Sequence, residues 1–162
     1  MIDLTVVDTT AMEALGARLA PLLRAGDLVL LNGELGAGKT TLARGLGAAL
    51  GARGAVTSPT FVLAREHPTA SGVPLVHVDA YRLENSRELD DLDLDFAHAI
   101  VVVEWGAGKL DGVTEAWLSV DIERPRGAGS AEDLDADEPR QVTITGTGPR
   151  GLELEASLRA GE

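Results

Sequence analysis

Gly33-Glu34-Leu35-Gly36-Ala37-Gly38-Lys39-Thr40 meets the pattern G-x-x-x-x-G-K-[ST] at every fixed position, a spacing suited to phosphate. Phosphate oxygens call for several backbone N–H donors aimed into one concavity, and glycines reach the φ angles such a cradle needs. Lys39 places a point charge on the β- and γ-phosphates, and the Thr40 hydroxyl is a hard oxygen ligand for Mg²⁺. A helix opening at Thr40 turns its positive dipole end toward the same anion. The chain holds its own control in Gly106-Ala107-Gly108-Lys109-Leu110. That segment repeats the core, but Val103 stands where the first glycine belongs and Leu110 replaces the hydroxyl, so it reads as an accidental likeness.

Magnesium-dependent phosphate chemistry also asks for an acid at the end of a buried strand beside the phosphate-binding strand. Glu104 follows Ile100-Val101-Val102-Val103 and so falls at the carboxyl edge of a sheet, where α/β proteins bind ligands. Asp79 closes a second candidate strand. One of the two carboxylates serves the Mg²⁺ shell and the other orients water, and the residue pattern does not assign which. Thr57-Ser58-Pro59-Thr60 lies one helix after the motif, where a γ-phosphate switch would sit, and equally reads as a Ser-Pro turn with local hydrogen bonds. Trp105 either covers the nucleotide or packs, and Trp117 reads as core. His67, His77 and His98 lack partners at metal spacing and read as structural.

The elements that would position these groups follow from periodicity. Residues 2–7 read as a strand, and a helix capped within residues 8–10 runs to about residue 23, with Leu15, Leu19, Leu22 and Leu23 on one face. Residues 28–31 form an apolar run suited to a strand buried on both faces. A helix from Thr40 to about residue 50 follows. Residues 57–67 and 73–79 read as an antiparallel hairpin, residues 83–97 as short helix, and residues 99–103 as a central strand. Residues 117–122 and 141–145 read as strands at one edge. Between them, about 123–140, an acidic run broken by Pro125, Gly127, Gly129 and Pro139 reads as a mobile solvated loop, and the tail from 150 to 162 as weakly helical at best. Together these predict one domain over 1–162, with a mixed, largely parallel sheet between helices.

Composition narrows the functional classes. With 162 residues and a formal charge of −12, the surface repels polyanions and anionic lipid. No cysteine is present, so disulfides and thiolate metal sites are excluded. The amino-terminal stretch lacks a basic flank, and no apolar run approaches the ~20 residues that span a bilayer, so a cytoplasmic location is expected.

On these residues the sequence resembles the bacterial TsaE family, also called YjeE. The carrying stretches are GELGAGKTTLARGL at 33–46, TSPTFVL at 57–63, HVDAYRL at 77–83 and VVVEWG at 101–106. The resemblance implies a P-loop NTPase of three αβα layers that hydrolyses ATP with Mg²⁺. It also implies association with TsaD and TsaB homologues, which modify adenosine 37 of tRNA, so tRNA is met only through the complex. By the same resemblance Lys39, Thr40 and Thr41 hold phosphates and metal, Glu104 is the Mg²⁺-side acid, Asp79 serves hydrolysis and Thr60 acts as a switch. Trp105 then lies near the nucleotide, and Thr9 or Thr10 near its adenine side. Beyond residue 106 the likeness is loose, which leaves Arg140 without a carried-over role.

Two other readings use the same motif. A small-molecule P-loop kinase would need an arginine-bearing lid, and the one long loop here is acidic. An ATP-gated interaction module would bind nucleotide and barely turn it over. A GTPase is disfavoured because no N-K-x-D segment occurs.

Overall fold

The computed structural model describes residues 1–34, 38–53, 64–79, 97–104, 114–124 and 139–161. Strand β1 (Ile2–Val6) leads into helix α1 (Thr9–Leu19), a 3-10 turn (Ala20–Leu22) and strand β2 (Leu28–Gly33). Helix α2 (Lys39–Ala49) precedes β3 (Ala64–His67), β4 (Leu75–Asp79) and β5 (Ile100–Glu104). Strands β6 (Trp117–Glu123) and β7 (Arg140–Thr147) and helix α3 (Gly148–Ala160) complete the described elements.

All seven strands join one sheet in the order β1-β7-β6-β2-β5-β4-β3. Pairing is parallel for β6–β2, β2–β5 and β5–β4, and antiparallel for β1–β7, β7–β6 and β4–β3. The sheet is therefore parallel at its centre and antiparallel at its margins. The hairpin expected from the sequence is β3–β4. Residues 83–97 lie, as far as 96, outside the described residues, as does 57–63.

Burial explains the central apolar runs. Alternation puts Val29, Leu31, Ile100 and Val102 on one face, in a cluster with Leu15, Leu19, Leu42, Leu46, Leu154 and Leu158 from the three helices. Leu28, Leu30, Val76, Val78, Val101 and Val103 form a second buried cluster on the other face. Each such side chain contributes about 2 kcal/mol on leaving water. Beyond β2 that second face turns polar. Thr143 Oγ1 donates to Asp3 Oδ1 at 3.0 Å, and Asn32 Nδ2 to Asp121 Oδ1 at 2.9 Å. Among the described residues, the central strands β2 and β5 are apolar on both faces over most of their length, as parallel strands require, while β4 is apolar on one face and carries His77 and Asp79 on the other.

Three corrections concern the carboxy-terminal third. Strands β6 and β7 are interior: β6 pairs with β2, and β1 covers the outer side of β7. The expected bounds of 123–140 fall inside strands, since Glu123 belongs to β6 and Arg140 is buried in β7; residues 125–138 lie outside the described residues. The tail is a helix of 13 residues rather than a weakly ordered end. Arg150 docks it, with Nε and Nη2 each 2.8 Å from the Asp27 carboxylate and Nη2 also 2.9 Å from Leu22 O. Leu154 and Leu158, one turn apart, face the core. Gly151 lowers the local helix propensity yet is needed there, because a Cβ would fall 2.3 Å from Trp117 O.

The amino-terminal half obeys local rules more closely. Asp8 caps α1, its carboxylate accepting from Ala11 N at 2.8 Å, worth about 1 kcal/mol. The α-helix stops at Leu19, short of the expected residue 23. Pro21 has no N–H for the Ala17 carbonyl, and the chain tightens into the 3-10 turn. Helices α1 and α2 cross at glycines: a Cβ on Gly16 would lie 2.2 Å from Leu42 O, and one on Gly45 2.1 Å from Glu13 O. This close approach seats α2, and the residues at its start, on the sheet.

Candidate functional site

The parallel strands β2, β5 and β4 end at one edge of the sheet, with Gly33, Glu104 and Asp79 at or near their last positions. Register sets Leu31 opposite Glu104 and Glu104 opposite Asp79, so both acids share the face covered by α2. Strand β1 also ends at this edge, so α1 begins there.

Helix α2 starts at Lys39, and its N-cap Gly38 has φ 118°, a left-handed value that a side chain would resist. A Cβ on Gly38 would also come 3.1 Å from Cε of Met12, so the first turns of α1 pack beside the start of α2. Thr10 lies exposed in that first turn, two positions before Met12. Lys39 is 5% exposed, and its Nζ donates to Gly33 O at 2.6 Å and Glu34 O at 3.0 Å. Burial lowers the Lys39 pKa from its ordinary value, while the charges of Glu104 and Asp79 oppose that shift.

Thr40 Oγ1 donates to Glu104 Oε1 at 3.2 Å, which joins the helix start to the end of β5. Glu104 is 3% exposed, and its other oxygen, Oε2, meets Nε2 of the fully buried His77. Thr41 follows on α2, half-buried. The structure thus brings together Gly33, Gly38, Lys39, Thr40, Glu104 and Asp79. Gly36, Ala37, Thr60 and Trp105, together with the look-alike segment at Gly106 to Leu110, lie outside the described residues.

This donor set suits a magnesium–phosphate ligand. The hydroxyl and carboxylate oxygens are hard donors, and the buried ammonium and the start of α2 supply positive charge for an anion. Among the described residues no group of three or more His, Cys, Asp or Glu could hold a metal ion. Thr40 and Glu104 supply two oxygen donors that could hold a cation such as Mg²⁺.

The histidines divide. His67 Nδ1 lies 3.1 Å from Arg53 O, a structural contact, as expected. His77 belongs to the site, which its spacing to other metal-type ligands does not reveal. The available signal is different: His77 and Asp79 are two apart on a strand and so face the same way. Trp117 packs half-buried against the second apolar cluster.

Comparisons with known proteins bear on the fold and the family. The family model for "Threonylcarbamoyl adenosine biosynthesis protein TsaE" matches residues 6–130. The tRNA threonylcarbamoyladenosine biosynthesis protein TsaE of Streptomyces coelicolor is 57% identical over 154 residues, covering 93% of this chain and 100% of that protein. The Bacillus subtilis protein of the same name is 33% identical over 147 residues, covering 89% of this chain and 85% of its own. The crystal structure of Bacillus subtilis YdiB superposes with a TM-score of 0.71 at 28% identity, over 99% of this chain and 95% of that one. With the family model covering most of its length, the chain belongs to the TsaE family of threonylcarbamoyladenosine biosynthesis proteins.

Proposed function

We propose that this protein is a magnesium-dependent ATPase that serves the threonylcarbamoyladenosine modification at position 37 of tRNA, acting with TsaD and TsaB homologues in the cytoplasm. The single observation that carries the ATPase reading is the buried junction of Lys39, Thr40 and Glu104 where β2, α2 and β5 meet. The chain works as one domain, a reading supported by the sheet that unites strands from both ends of the sequence.

In this reading the backbone of residues 33–38 and the Lys39 ammonium hold the β- and γ-phosphates. Thr40 and Glu104 hold Mg²⁺, which neutralises phosphate charge when bound. Thr41 contacts the phosphates and Thr10 marks the adenine side, while Thr60 acts as the switch residue and Trp105 as a nucleotide contact, the roles that the family resemblance gives them. Asp79, beside Glu104 on the next strand, orients the attacking water. The acidic surface suits protein partners that handle the tRNA themselves.

Pull-down of TsaD and TsaB homologues with and without ATP tests the assignment. Nucleotide-dependent capture is the expected result, and its absence under both conditions refutes the partnership. Turnover of the isolated protein should be slow and should rise on adding the partners; a solitary rate of ~10 s⁻¹, in the ordinary enzyme range, would contradict partner dependence.

A further inference from the structure

His77 stands out among groups the proposed chemistry does not use. It lies in the middle of β4, is fully buried, and has two ring nitrogens with unequal surroundings. Nε2 meets Glu104 Oε2, and Nδ1 has no hydrogen-bond partner. A histidine present only to fill space in a core would have an aliphatic neighbour's chemistry, and β4 supplies such residues at Leu75, Val76 and Val78. An imidazole here satisfies one carboxylate oxygen and nothing else.

We propose that His77 is a positioning residue for Glu104. It donates from Nε2–H to Oε2 and so leaves Oε1 turned toward the Thr40 hydroxyl, ready for a divalent cation. The geometry follows from the sheet. Register pairs His77 with Val102 and Asp79 with Glu104, so His77 sits one diagonal step behind the acid on the same face. Thr40 approaches the carboxylate from α2, with Oγ1 at 3.2 Å from Oε1 and 3.5 Å from Oε2. The carboxylate is thus held between a helix and a strand. Freed from the imidazole, it gains rotamers that point neither oxygen at the cation. Supporting partners of metal ligands typically govern 10- to 100-fold of metal affinity. Tautomer follows as well: with Nε2–H given to the carboxylate, Nδ1 carries no proton, since a buried unpaired N–H is the costlier alternative.

This inference rests on the reading of Glu104 as a Mg²⁺ ligand, and the experiment separates the two. Mg²⁺ is titrated by calorimetry into protein saturated with a non-hydrolysable ATP analogue, and analogue affinity is measured separately in EDTA. His77→Leu should weaken Mg²⁺ about tenfold and leave metal-free analogue affinity unchanged, while His77→Gln, whose amide can donate from nearly the same place, should stay within about threefold of wild type. Equal Mg²⁺ affinity in His77→Leu, or equal losses in the Leu and Gln variants, overturns the positioning role. Glu104→Gln serves as reference: if it leaves Mg²⁺ affinity intact, the metal-ligand reading itself fails. Because His77→Leu perturbs a buried strand, nitrogen-15 spectra of the wild-type imidazole provide an independent check. A protonated Nε2 with bare Nδ1 supports the proposal, and the opposite tautomer refutes it.

Discussion

Gly45→Ala should destabilise the protein by about 3 kcal/mol and weaken nucleotide binding, although alanine is the better helix former. Helix propensity alone favours the change by about 1 kcal/mol. Sterics oppose it: the new Cβ would fall 2.1 Å from Glu13 O, with the Glu13 carbonyl carbon and Cα at 2.7 Å. Ordinary contact needs about 3.5 Å, so α1 and α2 must part by roughly 1.4 Å. A gap of that size forfeits half or more of the dispersion between facing atoms, and Leu15, Leu19, Leu42 and Leu46 all lie in the cluster beneath these helices. Overpacking costs of this kind outweigh the propensity gain. Because α2 carries Lys39 and Thr40, the displacement also shifts the Thr40–Glu104 contact. Urea unfolding gives the stability change, a fall in Tm of about 6–12 °C being equivalent for a chain of this size. Calorimetry with ATP gives the binding change, and Ala48→Gly, on the exposed side of α2, calibrates propensity. A Gly45→Ala variant about 1 kcal/mol more stable than wild type would show that the helices do not approach as closely as described.

Other perturbations probe the site and the docked tail. Lys39→Ala should weaken ATP binding at least about a hundredfold, or about 2.7 kcal/mol, since it removes the buried ammonium at the start of α2; unchanged affinity by calorimetry would remove that role. Arg150→Ala should cost about 3 kcal/mol in unfolding experiments, because it strands the buried Asp27 carboxylate with only the Arg24 N–H, and a loss below ~0.5 kcal/mol would show that α3 docks by its leucines alone. Glu155 has a lowered pKa, chiefly because it accepts from Gly146 N–H, so its contribution is present above the unfolded carboxyl range and is lost as pH falls through the lowered value. Tm of Glu155→Gln should therefore lie below wild type at neutral pH and converge with it as pH falls below the ordinary carboxyl range, and a difference that stays constant as pH falls would refute the linkage.

Most of the site was legible because its grammar is local. The glycines, Lys39 and Thr40 declare themselves by spacing, and Glu104 by ending an apolar run, since a strand buried on both faces cannot place an acid anywhere but its end. Asp79 followed by the same logic. What escaped was set by partners distant in sequence. The contact of His77 with Glu104 depends on the β4–β5 register, which joins residues 27 apart. Helix α3 depends on Asp27 and Trp117, neither of which a local window contains, and its glycine content argues against helix until the close approach of β6 is known. The interior placement of β6 and β7 likewise required β1, whose Ile2 pairs with Ile144 at the other end of the chain.

The features that local rules disfavour are gathered where distant segments meet. Gly16 and Gly45 weaken two helices so that they can cross, and Gly151 weakens a third so that it can lie against β6. Lys39 and Glu104 are taken out of water, and for Lys39 burial lowers the pKa from its ordinary value. The compensation is structural: central strands apolar on both faces hold the edge on which these groups converge, and each charge is met by a neighbour rather than by solvent. Such an edge is costly to assemble but already arranged, so an anion bringing its own cation would meet donors that need little reorganisation. The same convergence explains why a glycine far from the phosphates, Gly45, is predicted to govern their binding as surely as a residue that touches them.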